Sequence, residues 1–354
     1  VKIQAGKILF KDVINNNEVS MIRKQSKKLQ RRQIFFVIFC LLVIVILARA
    51  DEEKEEFAVL ASRSLELSAY TQVRYTHSDE DLNEFRIRRA RAGLKGEILK
   101  KVNYILQIDA AKSPVLLDAE VEIAFSPHAI LTFGQFKVPF SLENLTSSSA
   151  LDTINRSQTV RNLCPGRDIG AQGRDIGVAL SGKFSRLEYS LGVFNGEGAN
   201  RAETNEKKDL VVRLGFSPFD FLTLSLSNYQ GKSTLFGGDS VVDRDRTGID
   251  IYFVHGQISL KGEYISARDY QTDKCGWYLQ GGYYLVPDKI QALARYDSFD
   301  LNLDIQGDRN DVLLLGLNWF FSKKTKLQIN YEHHQEGLTG TSENVILAQF
   351  QAGF

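Results

Sequence analysis

From residue 64 onward the chain alternates apolar and polar positions one for one, in short runs broken by turn residues. Leu65, Leu67, Ala69, Thr71 and Val73 share a face. So do Leu210, Val212, Leu214 and Phe216, then Ile258, Leu260, Gly262 and Tyr264, then Leu327, Ile329 and Tyr331. A period of two is that of a strand with unlike faces. It predicts sixteen strands, near 64–77, 84–98, 101–110, 115–125, 129–138, 174–183, 186–194, 208–216, 220–229, 246–254, 257–267, 275–285, 289–297, 311–321, 325–333 and 343–354.

The connections alternate too. Ser126-Pro127-His128, Ser217-Pro218-Phe219, His255-Gly256, Val286-Pro287-Asp288 and Ser322-Lys323-Lys324 are short; 139–173, 195–207, 230–245 and 298–310 are long. An up-and-down membrane barrel has short periplasmic turns and longer outer loops, and an even strand count when both termini lie at one end. Its low mean hydropathy is no objection, because lipid-facing and lumen-facing residues alternate. Phe125, Phe216, Phe219, Phe221, Tyr283, Tyr284, Trp319, Phe320, Phe321 and Phe354 gather beside the short turns, as an interfacial girdle does. The pattern predicts an all-β, sixteen-stranded antiparallel transmembrane barrel over 64–354, wide enough for an aqueous channel.

The amino-terminal part reads differently. From Met21, the sole methionine, a basic stretch (Arg23, Lys24, Lys27, Lys28, Arg31, Arg32) leads into the apolar run Ile34–Leu47 and then Ala48-Arg49-Ala50. These are the parts of a secretory signal peptide over 21–50, cleaved after Ala50. As a helix the apolar run would reach roughly 21 Å, short of a ~30 Å hydrocarbon core. Residues 1–20 read as a segment upstream of the true start, and 51–63 as a short acidic periplasmic segment. Without the leader the net charge of +1 becomes −7, from 34 basic and 41 acidic residues, so nothing points to nucleic acid. Cys40 leaves with the leader. Cys164 and Cys275 remain, and export leaves a disulfide between them open.

The chemistry concentrates on the second predicted strand. Phe85 and Ile87 facing lipid put Arg86 and Arg88 in the lumen; Ala90, Ala92 and Leu94 facing lipid put Arg89, Arg91 and Lys95 there. Both hold only with a β-bulge near Arg88–Arg89. Otherwise arginines meet lipid, at about 2–4 kcal/mol each near the midplane. The product is a column of guanidinium groups on the pore wall, suited to phosphate or carboxylate oxygens. The competing reading is that these arginines pair with lumen acids such as Asp118, Glu120 and Glu122 and only stiffen the wall.

The last strand, ending on Phe354, resembles the closing strand of bacterial outer-membrane barrels, whose terminal aromatic the barrel-assembly machinery reads. Arg88-Arg89-Ala90, Leu117-Asp118-Ala119 and above all Gly134-Gln135-Phe136-Lys137-Val138-Pro139-Phe140-Ser141-Leu142-Glu143 resemble the phosphate-selective porin O/P family. The resemblance implies a homotrimeric porin of the outer membrane whose third outer loop folds into the channel. It implies passage of small anions, among them phosphate or polyphosphate, with paired ladder arginines at Arg88 and Arg89 and a central pore aspartate at Asp118. Three family cations are missing: Asn144 stands in place of a lysine, Tyr70 in place of a first-strand arginine, and 230–245 in place of an arginine-rich fifth loop. Arg156, Arg161, Arg167 and Arg174 along the third loop are the candidates to compensate, and Lys137 is a further pore-lining candidate.

That loop also holds a tandem repeat, Gly166–Gln172 followed by Gly173–Ala179, which either lengthens the sixth strand or the constriction or is neutral drift. His77, His128, His255, His333 and His334 show no ligand spacing, and no nucleophile elbow or CxxC is present. Asp300, Asp304, Asp308 and Asp311 form either a calcium loop or a solvated one. The expectation is a channel without cofactor or catalytic residues. A general non-selective diffusion porin is the alternative. An outer-membrane hydrolase would require a catalytic constellation at the rim, and an adhesin larger or aromatic-rich outer loops and a plugged lumen.

Overall fold

A computed structural model describes residues 65–79, 83–234 and 241–354. The leader, the acidic segment and the boundaries assigned before residue 64 lie outside these residues. Sixteen antiparallel strands close into one barrel, each paired with its sequence neighbours and the last with the first. They are β1 (Leu65–Ser78), β2 (Glu84–Leu99), β3 (Val102–Asp109), β4 (Leu116–Ser126), β5 (Ala129–Lys137), β6 (Arg174–Phe184), β7 (Leu187–Phe194), β8 (Asp209–Phe219), β9 (Leu222–Thr234), β10 (Val241–His255), β11 (Ile258–Asp269), β12 (Thr272–Val286), β13 (Ile290–Asp300), β14 (Arg309–Phe320), β15 (Lys326–Gln335) and β16 (Ser342–Gly353). Closure matters because a membrane offers no partner to an unpaired strand edge.

Alternation sets the faces. Leu65, Leu67, Val73, Phe85, Ile87, Leu214, Leu226, Ile249, Leu315 and Phe350 are exposed on the outer wall, while their neighbours Gln72, Arg74, Arg89, Arg91, Asp250 and Gln349 are buried inward. Phe219 stacks on Phe221 at 5.1 Å, and Trp319 packs against Phe321 at 4.9 Å with the rings tilted, at the short-turn end. The bulge falls where the charge argument places it: Gln72 pairs with Arg89 and Val73 with Ile87, leaving Arg88 without a cross-strand partner. At Gly134, φ is +121° and an added Cβ would meet the Ala119 carbonyl oxygen at 2.1 Å, so only glycine fits there.

Two loop assignments need correction. β9 and β10 run to Thr234 and from Val241, through most of 230–245; β13 and β14 run to Asp300 and from Arg309, trimming 298–310. β11 and β12 likewise meet at a tight turn beside Tyr270, whose φ is 57°. Beyond the lipid, water touches both faces of a hairpin, so an apolar stripe is no longer required and alternation fades before the strands do. Cross-strand ion pairs, Lys232 to Asp243 and Arg268 to Asp273 at 2.5 Å, span these polar ends.

Cys164 lies buried within the third loop, while Cys275 lies on β12 in the same parity as the outward Trp277, and both are free thiols. No disulfide links them. Burial pushes the Cys164 thiol up. A maleimide is therefore expected to label Cys275 and spare Cys164 in the folded protein, with both labelled after denaturation. Labelling of Cys164 before denaturation, read by peptide mass, would contradict its burial.

Candidate functional site

The third outer loop, residues 138–173, carries two short helices, α1 (Leu142–Leu145) and α2 (Gln158–Leu163). Ser141 and Ser157 cap them, accepting from Asn144 N and Val160 N at 3.1 Å each. Acids of the barrel wall hold both starts. Glu263 of β11 accepts from Glu143 N at 2.6 Å, and Asp297 of β13 from Gln158 N at 2.5 Å and Thr159 Oγ1 at 2.9 Å. Farther along, Ile154 N donates to Asn330 Oδ1 at 2.8 Å, Lys326 Nζ to Leu151 O at 2.5 Å and Gln351 Nε2 to Ser149 O at 3.2 Å. Arg91 Nη1 donates to Ser148 Oγ at 3.3 Å. Contacts to β2, β11, β13, β15 and β16 are possible together only from within the barrel.

An apolar face completes the seat. Phe140, Val160, Leu163 and Cys164 of the loop pack with Phe194, Val211, Tyr229, Ile265 and Phe299 in one buried cluster. These wall residues face inward. An inner wall that is apolar at this seat is shaped for a loop, not for water.

The cations fall into two groups. Arg91 Nε lies 2.9 Å from Asp109, and Arg174 reaches Asp118 at 2.7 and 2.8 Å, all four side chains buried or nearly so. These pairs follow the wall-stiffening reading, and they occupy the aspartate at Asp118. The second group has no carboxylate partner among the described residues. Arg89 Nη1 donates to Gln72 Oε1 at 2.7 Å; Lys137 Nζ donates to the Leu145 and Thr146 carbonyls at 2.8 and 3.1 Å. Arg156 donates to Glu143 O at 3.0 Å and Thr146 O at 2.7 Å, and Arg167 Nε to Asn144 Oδ1 at 2.7 Å. Burial, and then the like charge of Arg156, pulls the Arg167 guanidinium well below its ordinary value. Among the described residues, Arg88 Nε, in the bulge, has no hydrogen-bond partner.

The remaining candidates lie toward solvent. Arg86 is half exposed beside Glu84 at 3.3 Å, Lys95 is exposed across from Glu66, and Arg161 is exposed on α2. The structure thus gathers Arg88, Arg89, Arg91, Lys137, Arg156, Arg167 and Arg174 around the β2–loop boundary and leaves Arg86, Lys95 and Arg161 outside it. Sequence reading missed Arg74, buried on the inner face of β1. Its position opposite the Leu65–Val73 stripe signals it.

The tandem repeat has two employments. In the first copy Asp168 binds Arg244 at 2.7 Å and Arg246 at 2.9 Å, fastening the loop's end to β10. In the second copy Arg174 takes Asp118, and Asp175 accepts from Ile176 N and Gly196 N at 2.7 Å each. Neither copy is idle. Arg244 and Arg246 are therefore occupied by carboxylate, the latter also by Asp269 at 2.7 Å. His333 and His334 point apart, to Asn344 at 2.9 Å and Glu332 at 3.0 Å.

A closed sixteen-strand barrel with an apolar outer band and a loop seated within a charged interior is an outer-membrane porin channel. The chain belongs to the phosphate-selective porin O and P family, whose profile matches residues 68–222 and 225–354; the family consists of channels, not enzymes. Solved structures share the fold. The outer membrane channel DcaP of Acinetobacter baumannii is 11% identical with a TM-score of 0.62, over 84% of this chain and 100% of that one. Salmonella typhi OmpF, solved with daunomycin, is 10% identical with a TM-score of 0.60, over 81% and 97%. The trimer form of Vibrio cholerae OmpT is 11% identical with a TM-score of 0.56, over 82% and 99%. No curated protein matches the chain.

Proposed function

We propose that this porin passes small anions, phosphate among them, by passive diffusion through a water-filled pore. The observation that carries the reading is the run of inner cations that have no carboxylate partner among the described residues, Arg88, Arg89, Lys137, Arg156 and Arg167, on β2, β5 and the third loop. Fixed guanidiniums offer anions a series of weak sites, which permits entry without trapping. The neutralised pairs Arg91–Asp109 and Arg174–Asp118 favour the second reading, a general diffusion porin.

Planar-bilayer recording separates the two. In a KCl gradient the reversal potential is expected on the anion side, with conductance rising in trimer steps, and low phosphate is expected to block chloride current. A reversal potential near zero selects general diffusion, and a cation-side value overturns the anion reading. The trimer itself is part of the proposal, supported by the trimer form recorded for the OmpT of similar fold. So are export by the 21–50 leader, maturation at Asp51, which amino-terminal sequencing of the membrane protein tests, and delivery to the assembly machinery through the exposed Phe354.

A further inference from the structure

The third loop covers one side of the inner wall and leaves another side open. Its residues 149–154 bond Gln351, Lys326, Gln328, Asn318 and Asn330. Beneath it Gln72, Asn318, Gln328, Asn330, Gln349 and Gln351, on β1 and β14–β16, are at most 1% exposed. On β2–β4 the inner positions between Asp118 and the short turns are uncovered. Lys95 is exposed there, and Glu97, Asn103, Glu120 and Glu122 are only partly buried. Val121, between the two glutamates, lies on the lipid face and fixes their direction. Water therefore runs along this stretch of wall.

Charge on the wall is sorted by depth. Toward the outer end, the inner residues of β1–β4 include Arg74, Arg88, Arg89 and Arg91 against Asp109 and Asp118, and Arg174 binds Asp118. Toward the short turns they are Glu66, Glu97, Glu120 and Glu122 against Lys95. Lys95 stands level with Ile105 and Glu120, and Glu97 with Asn103 and Glu122. At the usual rise these two rows lie about 13 and 20 Å along the strand from Arg91. Glu120 and Glu122 have no hydrogen bond or ion pair among the described residues. Their charges are left to the lumen.

We propose that Glu120 and Glu122 make the pore electrically two-sided, with a cation-favouring periplasmic segment in series with the arginine-lined outer one, so that the channel rectifies and its anion preference is held down. The inference rests on the anion-channel reading for the outer segment. Charged side chains on a pore wall set which ion enters each segment. With the periplasmic side positive, anions enter past the arginines and cations past the glutamates, and both fill the junction between them. With the voltage reversed, both are drawn out of it and the current falls. At 0.1 M salt the Debye length is about 10 Å, shorter than the spacing of the segments, so each keeps its own sign; at 1 M it is about 3 Å and both are screened.

The test records single reconstituted trimers of the wild type and of the double variant Glu120→Gln, Glu122→Gln, each confirmed folded by heat-modifiable mobility. Instantaneous currents at equal and opposite voltages are expected to differ about twofold or more in 0.1 M KCl and to become nearly equal in 1 M KCl. The glutamine pair is expected to lose the asymmetry at 0.1 M, and its reversal potential in a KCl gradient to move farther to the anion side. Rectification that survives in the glutamine pair, or that does not fade with salt in the wild type, overturns the role of the glutamates. So does an anion-selective wild type with symmetric currents at 0.1 M, and the anion-channel reading then stands without it. A wild type that is not anion-selective overturns that reading instead, and with it the outer segment.

Discussion

Replacing Asp168 by alanine is expected to unfasten the end of the third loop from β10 while the barrel stays closed. The carboxylate receives Arg244 through two contacts, 2.7 and 3.1 Å, and Arg246 at 2.9 Å, with all three side chains almost wholly buried. Removing one member of a buried charge pair costs about 3–5 kcal/mol, because the survivor is stranded. Arg246 keeps Asp269, so the loss falls mainly on Arg244, which retains the Gly196 carbonyl at 3.2 Å and the Tyr229 ring at 5.5 Å. The loop's bonds to Glu263, Asp297 and Asn330 and its apolar seat are untouched, so release should be confined to its carboxy-terminal arm. Limited trypsin digestion should then cut after Arg167 on the order of a hundredfold faster than in wild type. Open-channel current noise should rise with it. A variant as resistant and as quiet as wild type would show that the apolar seat alone fixes the loop.

The double substitution Arg88→Glu, Arg89→Glu is expected to move the reversal potential from the anion to the cation side. Among the described residues neither arginine has a carboxylate partner, so the change alters the inner wall by four charge units. At an effective dielectric of about 20, a unit charge 4 Å from the path contributes ~4 kcal/mol to an ion's energy, well above thermal energy. The glutamine pair should give an intermediate value, which separates lost attraction from added repulsion. The matching change at Arg91 should do less for selectivity and more to stability, since Arg91 is tied to Asp109. Unchanged anion preference in the glutamate pair would remove Arg88 and Arg89 from the ion path.

The outer wall was legible because lipid enforces it. Leu65, Leu67 and Val73 face hydrocarbon, so the alternation is strict, and the same solvation cost located the bulge at Arg88. The legibility stops where the lipid stops: Gln230–Thr234 and Val241–Asp245 are strand without a stripe. The interior is harder for another reason. Its partners are set by the curvature of the whole barrel, not by spacing. Arg244 and Asp168 are 76 residues apart, and Gln158 and the Asp297 that holds it 139 apart. Reading inner faces as polar also hides Val211, Ile265 and Phe299, which are apolar only because a loop covers them. The repeat makes the point most directly: two nearly identical heptapeptides, two different sets of partners. Context assigns the roles.

The pairing of β1 with β16 has a consequence in time. Gln72 bonds Gln351 across 279 residues, and Phe354 N bonds Ala69 O at 3.0 Å, so the seam joins nearly the first and last residues of the barrel. Hairpins of neighbouring strands are local pairings, whereas the seam joins strands at opposite ends of the barrel sequence, so it is expected to close last and bears the largest loop-closure entropy of any pairing. Until then the nascent sheet carries two raw edges, each a template for a stranger's strand. The arginine-bearing hairpin of β1 and β2 stands at one of those edges. Its inner surface is therefore finished by the sealing event, and a chain shortened by a few carboxy-terminal residues should be not merely a leaky channel but an unsealed sheet.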